Sequence, residues 1–155
     1  MTIPNTAEVT SPASYLFETD LNIYSSSTAT FTTISLLNAE GEAILSIGAK
    51  PRSKGSTFTF TVKEGSETVE INETSINQYS DHNLRVEYTP SAEDTASVSI
   101  YVDGKLCYKN AEYSSAATEG DKDMTFSAVK FAHSDTTNTV KLRLDSTIIT
   151  TIAGE

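Results

Sequence analysis

SVSIYVDGKLCYKN, residues 97–110, is the stretch that decides the fold of this 155-residue chain. Its apolar residues Val98, Ile100 and Val102 alternate with polar ones, which is the two-residue period of a strand with one buried face. Asp103-Gly104 follows, and this dipeptide between two alternating runs is a strong signal for a tight hairpin turn. The stretch therefore predicts two antiparallel strands joined by a hairpin.

The same alternation recurs along the rest of the chain. It is clearest in Thr57–Val62 (TFTFTV), and turn residues separate the alternating runs about every 8–12 positions. A hydrophobic content of 37% suits a thin sandwich in which each strand exposes half of its side chains. The sequence therefore predicts an all-β fold, a two-sheet antiparallel β-sandwich (jelly roll).

The domain organisation is predicted from the positions of proline and glycine, which interrupt regular strands. Residues 1–12 contain two prolines among small polar residues and are expected to form a leader or linker. Residues 13–155 are expected to form a single β-sandwich domain. The basic segment around Pro51, which holds Lys50, Arg52 and Lys54, is predicted to be a loop.

A resemblance to a known superfamily supports the same architecture. His82–Tyr88 (HNLRVEY), followed by an acidic loop and Val98–Gly104 (VSIYVDG), resembles the central strand pair of concanavalin A-like, laminin-G-like jelly rolls. Tyr15–Ile23 (YLFETDLNI) and Val140–Asp145 (VKLRLD) resemble their opening and closing strands. The resemblance implies a non-catalytic carbohydrate-binding module, tethered to a catalytic or surface domain of a larger extracellular or cell-surface protein whose signal peptide is not part of this chain.

Composition narrows the classes of partner. The net charge of −10 argues against nucleic acid and against anionic membranes, which both attract clustered Lys and Arg. A neutral polysaccharide is indifferent to this charge, whereas an acidic one is repelled unless a local basic patch outweighs the net charge. The single cysteine, Cys107, excludes an intrachain disulfide.

Catalytic patterns are not found in the sequence. Relatives that hydrolyse β-glucans carry a Glu-x-Asp-x-Glu strand, which this chain lacks. Glu18 and Asp20 share a strand face about 7 Å apart, a spacing that inverting hydrolysis could use. Carboxylates on a solvated strand face are, however, the commoner reason for such a pair. We therefore expect that the protein is not an enzyme.

The expected ligand is a polysaccharide or oligosaccharide. Sugar rings stack on flat aromatic faces, and because the chain has no Trp, Tyr has to serve. If the first, central and last strands are neighbours, one sheet face displays an aromatic and basic set that we predict binds the ligand: Tyr24, Arg85, Tyr101, Lys141 and Arg143. The alternatives are ordinary cross-strand ion pairs on this face, or a site rimmed by the loop residues Tyr79 and Tyr113.

A structural calcium is the cofactor that the resemblance implies. Ca²⁺ takes six to eight oxygen ligands from carboxylates and carbonyls. Glu18, Asp20 and Asp145 are the predicted ligands, because the first and last strands of this topology commonly lie side by side. The alternatives are that these acids are simply solvated, or that the acidic loop 119–123 holds a metal.

A second class of function is also compatible with the sequence. A β-sandwich without catalysis can act as a structural or adhesive domain that contacts protein partners in a surface or phage-tail protein. A flat apolar patch would favour that function, and a groove with polar side chains would favour sugar binding.

Overall fold

The computed structural model describes residues 1–4, 13–25, 32–53, 57–71, 76–91, 95–114, 123–133 and 140–153. These residues form twelve β-strands and no helix. In chain order they are β1 (Thr2–Pro4), β2 (Ala13–Ser25), β3 (Thr32–Leu37), β4 (Ala43–Ser53), β5 (Thr57–Glu64), β6 (Glu67–Glu70), β7 (Ile76–Asn77), β8 (His82–Pro90), β9 (Ala96–Val102), β10 (Lys105–Tyr113), β11 (Ala128–His133) and β12 (Val140–Ala153). A long apolar helix of the kind that crosses a membrane does not occur in the ranges given above.

The strands form two antiparallel sheets. Sheet A has the order β1-β11-β3-β4-β5-β6, with β7 also paired to β5, and sheet B has the order β10-β9-β8-β2-β12. Every strand pair is antiparallel, and consecutive strands repeatedly change sheet, as in a jelly roll. The predicted two-sheet antiparallel β-sandwich is confirmed.

The core lies between the two sheets and follows from the alternation in sequence. On β2 the side chains of Phe17, Thr19, Leu21 and Ile23 are buried, whereas the residues that alternate with them are half-buried. Phe17 meets Phe131 of sheet A with ring centroids 6.3 Å apart. Burying a side chain of this size stabilises the fold by about 1.5–3 kcal/mol, so the alternation itself selects which face of each strand turns inward.

The predicted hairpin is present between β9 and β10. Asp103 and Gly104 have φ values of 50° and 80°, the left-handed values that a tight hairpin turn needs. Asp103 also joins the hairpin to β8, because its carboxylate accepts the Asn83 N–H at 2.9 Å and its own N–H donates to the Asn83 carbonyl at 2.8 Å. The turn therefore anchors three consecutive strands of sheet B.

Two segments differ from the sequence prediction. The loop predicted around Pro51 is wrong, because β4 continues through it to Ser53. A register shift between Pro51 and Ser53 accommodates the proline, which cannot donate to the strand ladder. In the predicted leader, β1 pairs with β11, and the amino group of Met1 donates to the Phe131 carbonyl at 3.1 Å. Residues 5–12 lie outside the described residues.

Candidate functional site

The outer face of sheet B brings together the strands that carry the predicted ligand residues. β9, β8, β2 and β12 are neighbours in that order. Arg85 on β8 pairs with Tyr101 on β9, and Tyr24 on β2 pairs with the backbone of Lys141 on β12. Arg143, two residues after Lys141 on β12, pairs with Asn22 on β2. We call this surface the sheet B face; whether it binds a ligand stays a prediction.

Arg85 already has partners on the sheet B face. One guanidinium nitrogen lies 2.6 Å from a carboxylate oxygen of Glu87, and its central carbon lies 5.4 Å from the centre of the Tyr101 ring. Glu87 neutralises the cation, and the guanidinium covers part of the Tyr101 ring. The ion pair of Arg85 therefore lies within β8 and is not the cross-strand ion pair that the sequence left open as an alternative, and its cross-strand contact is with the Tyr101 ring.

The predicted metal ligands Glu18 and Asp20 are bridged by one amide. The Asn83 side-chain nitrogen donates to Glu18 Oε1 at 3.0 Å and to Asp20 Oδ1 at 2.9 Å. Asp145 lies at the bulge of β12 next to Ser146, which pairs with Asp20; its side chain is outside the described part. Within the described ranges no group of three or more acidic, His or Cys side chains is close enough to hold a metal ion.

The two loop tyrosines have different environments. Tyr79 has a φ of 62°, which is rare for a bulky residue, and its ring is 61% exposed. It stacks on Tyr24 with ring centroids 4.4 Å apart, so a predicted strand residue and a predicted loop residue form one aromatic pair. Tyr113 ends β10 and is buried, and its hydroxyl donates to the Lys63 carbonyl at 2.7 Å. The suggestion that Tyr113 rims a site is therefore wrong.

A groove that the sequence did not indicate crosses the outer face of sheet A. Its volume is about 630 Å³, and it runs over β3, β4, β5 and β6. Its lining consists mainly of small hydroxyl side chains and two lysines: Thr33, Ser46, Gly48, Lys50, Thr61, Lys63, Ser66 and Thr68. We call it the sheet A groove.

The floor of the sheet A groove is a close approach of two strands. Gly48 on β4 pairs with Thr61 on β5, and a Cβ atom at Gly48 would lie 2.5 Å from the Thr61 hydroxyl oxygen. That distance is below van der Waals contact, so glycine is the residue that fits beside this rotamer of Thr61. The missing side chain also leaves the floor flat between Ser46 and Lys50.

The groove carries positive charge. Lys50 and Lys63 are exposed, and neither has an ion-pair partner among the residues that the structure describes. An ion pair between Arg52 on β4 and Glu70 on β6 spans β5 at one end of the groove. Glu70 is thereby neutralised, and the two lysine charges remain available to a ligand.

Beneath this ion pair lies a buried hydroxyl. Thr59 belongs to the outward-facing row of β5 and pairs with Lys50, yet it is 3% exposed. Its hydroxyl oxygen has no hydrogen-bond partner among the residues that the structure describes. The alternation TFTFTV predicted correctly that Phe58 and Phe60 face the core, but it gave no sign that the threonine row lines a groove.

The comparisons with known proteins agree with this architecture. No protein-family model matches the sequence, and no curated protein sequence matches it significantly. Among solved structures, a tetrameric galectin from the ball sponge Cinachyrella sp. is 10% identical with a TM-score of 0.54, covering 98% of this chain and 99% of its own. Alginate lyase Aly36B is 10% identical with a TM-score of 0.63, covering 96% and 78%.

Sheep galectin-11, in a complex with glycerol, is 8% identical with a TM-score of 0.53, covering 97% of this chain and 96% of its own. At these identities the likeness concerns the backbone arrangement alone. The predicted resemblance to concanavalin A-like jelly rolls is thus confirmed at the level of the fold. The chain has the jelly-roll β-sandwich architecture that galectins and an alginate lyase share.

Proposed function

We propose that this chain is a non-catalytic carbohydrate-binding module whose ligand lies in the sheet A groove. The observation that carries the proposal is the lining of that groove, where hydroxyl groups and two ammonium groups surround a flat glycine floor. Sugar hydroxyls need donors and acceptors close together, and Ser, Thr and Lys side chains supply them. The fold is compatible with this function, because galectins and an alginate lyase adopt it.

In the proposed mode of binding, the sugar chain lies across β4 and β5. Thr33 and Ser46 on one side, and Ser66 and Thr68 on the other, exchange hydrogen bonds with sugar hydroxyls. The groove is shallow, and the described residues that line it include no aromatic ring on which a sugar could stack. We therefore expect weak binding per site, with a Kd on the order of 0.1–1 mM, strengthened when several modules engage one polymer.

The biological setting is part of the same proposal. We propose a plant or microbial polysaccharide as ligand and an extracellular or cell-surface location, with the module tethered to a catalytic or surface domain. The net charge of −10 supports a partner other than nucleic acid or an anionic membrane.

The sheet B face remains the alternative location of the ligand. Its proposed binding residues are those that the sequence indicated: Tyr24, Arg85, Tyr101, Lys141 and Arg143. The stacked pair of Tyr24 and Tyr79 supports this alternative, because the exposed ring of Tyr79 is a platform of the kind on which pyranose rings stack.

A matched pair of substitutions tests the function and locates the site. Ser46→Phe fills the sheet A groove, and Ser99→Phe places the same side chain on the sheet B face, where Ser99 pairs with Glu87. The measurement is affinity electrophoresis through a panel of plant and microbial polysaccharides, with circular dichroism to verify folding. We expect at least one polymer to retard the wild type and Ser99→Phe but not Ser46→Phe. The reverse result would move the site to sheet B, and no retardation by any polymer would reject carbohydrate binding.

A protein partner is the second candidate function. Leu106 and Ile148 are 45% and 51% exposed, and by register they flank Tyr101 and Glu18 on sheet B. They lie on the two opposite edge strands of sheet B, β10 and β12, so each could join a contact at its own edge but the two do not form one apolar patch. This function gains support if every polysaccharide fails to bind.

A structural calcium held by Glu18, Asp20 and Asp145 is also a proposal. Two of these residues supply carboxylates on β2, and the third comes from the neighbouring strand β12. Calcium would have to displace the amide of Asn83 from both β2 carboxylates. Thermal unfolding of the wild type and of Glu18→Gln, each in CaCl₂ and in EDTA, tests the proposal. It is rejected if the Tm of the wild type is the same in both solutions and Glu18→Gln likewise shows no difference.

A further inference from the structure

We infer that the sheet A groove selects anionic polysaccharides, whose carboxylate or sulfate groups are held by Lys50 and Lys63. This inference rests on the proposed carbohydrate-binding function and names the class of ligand. The two lysines lie at opposite corners of the groove, since Lys50 pairs with Thr59 while Lys63 lies four residues further along β5. From strand geometry their Cα atoms are roughly 14 Å apart, so they would hold two separate charges of one extended chain.

The lysines are the charges that a ligand in the groove would meet. Glu70, on the neighbouring strand β6, is neutralised by Arg52. Glu64 and Glu67 pair with each other, and they belong to the strand face opposite to that of Lys63 and Thr68. The Glu64 carboxylate accepts hydrogen bonds from Tyr108 and Asn110 of sheet B. Glu64 is thus engaged by sheet B, and Glu67, which is exposed, belongs to the strand face opposite to that of Lys63.

A third lysine reinforces the positive sign of this face. Lys130 on β11 is exposed and pairs with Ser35, which in turn pairs with Ser46 at the groove wall. Arg52 at the other end adds no net charge, because Glu70 balances it. Among described residues the outward row of sheet A thus carries an excess of positive charge, although the whole chain carries −10.

The carboxylates of the sheet B face act weakly at the groove. Glu18, Asp20 and Glu87 belong to the outer face of sheet B, on the opposite side of a sandwich whose sheets lie about 10 Å apart. The Debye length is about 8 Å at physiological ionic strength, so these charges are largely screened at the groove. The local lysines decide which sign of ligand the groove attracts, and the net charge does not.

The experiment compares acidic polymers with uncharged derivatives of the same backbone. The probes are alginate, polygalacturonate and a sulfated galactan, each beside its carboxyl-reduced or desulfated form. Binding is measured by affinity electrophoresis, normalised to gels without polymer, at about 0.05 M and 0.5 M NaCl. We expect the acidic polymers to bind more tightly than their derivatives and to lose most of this advantage at high salt.

The variants assign the effect to the groove. Lys50→Gln and Lys63→Gln should each weaken binding about threefold to fivefold, and the double variant at least about tenfold. Lys63→Arg keeps the charge and should retain binding. Lys109→Gln removes an exposed lysine on β10 of sheet B, with the same change of net charge, and should bind as the wild type does.

The outcomes separate this inference from the function on which it rests. Equal binding of acidic and uncharged polymers, or preference for the uncharged ones, would overturn the anionic selectivity and leave carbohydrate binding standing. Preference for acidic polymers that survives the double lysine variant would also overturn it. If no polymer of either kind binds, the proposed function itself fails. Preference for the sulfated galactan over both uronates, or the reverse, would show which anionic group the lysines hold.

Discussion

Thr59 has a buried hydroxyl for which the described part of the chain offers no hydrogen-bond partner. Burying such a group costs about 1–3 kcal/mol, because its hydrogen bonds to water are lost and not replaced. We therefore expect Thr59→Val, which removes the hydroxyl and keeps the shape, to raise the free energy of unfolding by about 1 kcal/mol. Urea denaturation of both proteins measures this difference.

Thr19 is the control for Thr59. It is equally buried, but its hydroxyl lies 2.9 Å from that of Thr147 on β12. Thr19→Val should lower the free energy of unfolding by about 1 kcal/mol, since a hydrogen bond is lost and Thr147 keeps an unmatched hydroxyl. Destabilisation of similar size in both variants would contradict the prediction, because it would show that the Thr59 hydroxyl has a partner after all.

Individual residues show what the sequence could predict. The alternation placed Phe58 and Phe60 in the core, and Asp103-Gly104 in a left-handed turn, because both rules depend on neighbours along the chain. The stacking of Tyr24 on Tyr79 and the pairing of Arg85 with Glu87 depend on side-chain choices among several possible partners. The local sequence pattern does not determine which partner a side chain chooses. The sequence therefore predicted correctly that the strands of these residues share one sheet, but it did not predict the contacts of their side chains.

At the level of strands, β4 and β5 are held close together by Gly48 and Thr61. Replacing Gly48 with Ala would force a methyl group to within 2.5 Å of the Thr61 hydroxyl, and overpacking of this kind costs about 1–3 kcal/mol. The gain from removing glycine from a strand is smaller, about 0.5–1 kcal/mol. We expect Gly48→Ala to destabilise the wild type by about 1 kcal/mol but to stabilise the Thr61→Ala background.

A double-mutant cycle in urea measures this coupling. The expected interaction between the two substitutions is about 1–2 kcal/mol, with the double variant more stable than the sum of the single effects predicts. An equal effect of Gly48→Ala in both backgrounds would mean that the Thr61 side chain rotates away from the added methyl group at little cost.

The course of β4 explains why the groove was missed. Proline next to charged residues predicts a loop, and the sequence therefore places Lys50 and Arg52 in a loop. In the structure a register shift absorbs Pro51, and the strand carries Lys50 onto the same face as Thr61 and Lys63. Whether a proline ends a strand or sits at a bulge depends on the neighbouring strand β5, which is information of the whole sheet.

At the level of the whole molecule, the local charge of each sheet differs from the net charge. The outward face of sheet B carries the carboxylates Glu18, Asp20 and Glu87 together with the cations Arg85 and Lys109, whereas the groove face of sheet A carries Lys50 and Lys63. Composition supplies only the sum of these charges. The sum of −10 opposes an acidic ligand unless a local basic patch outweighs it, and the strand order brings Lys50 and Lys63 into such a patch.

The whole molecule should also lose stability in alkali, because buried tyrosines join its two sheets. Burial raises the pKa of Tyr88 and Tyr113 above the ordinary value of 10, and burial together with a hydrogen bond to Glu64 raises that of Tyr108 to about 12. The contribution that these protonated hydroxyls make to the free energy of unfolding is fully present below pH 10. Above it the unfolded chain releases these protons while the folded chain retains them, so the free energy of unfolding must fall as pH rises from 10 to 12.

Urea denaturation at pH 8, 10, 11 and 12 measures this slope, and each buried tyrosine contributes up to about 1.4 kcal/mol per pH unit. Tyr113→Phe should reduce the slope by that amount, whereas Tyr101→Phe, which removes a hydroxyl from the outer face, is the control. If the free energy of unfolding is the same at pH 8 and pH 12, these hydroxyls ionise as easily in the folded chain as in the unfolded one, and the contacts of Tyr88 with the Met124 carbonyl and of Tyr113 with the Lys63 carbonyl do not persist in solution.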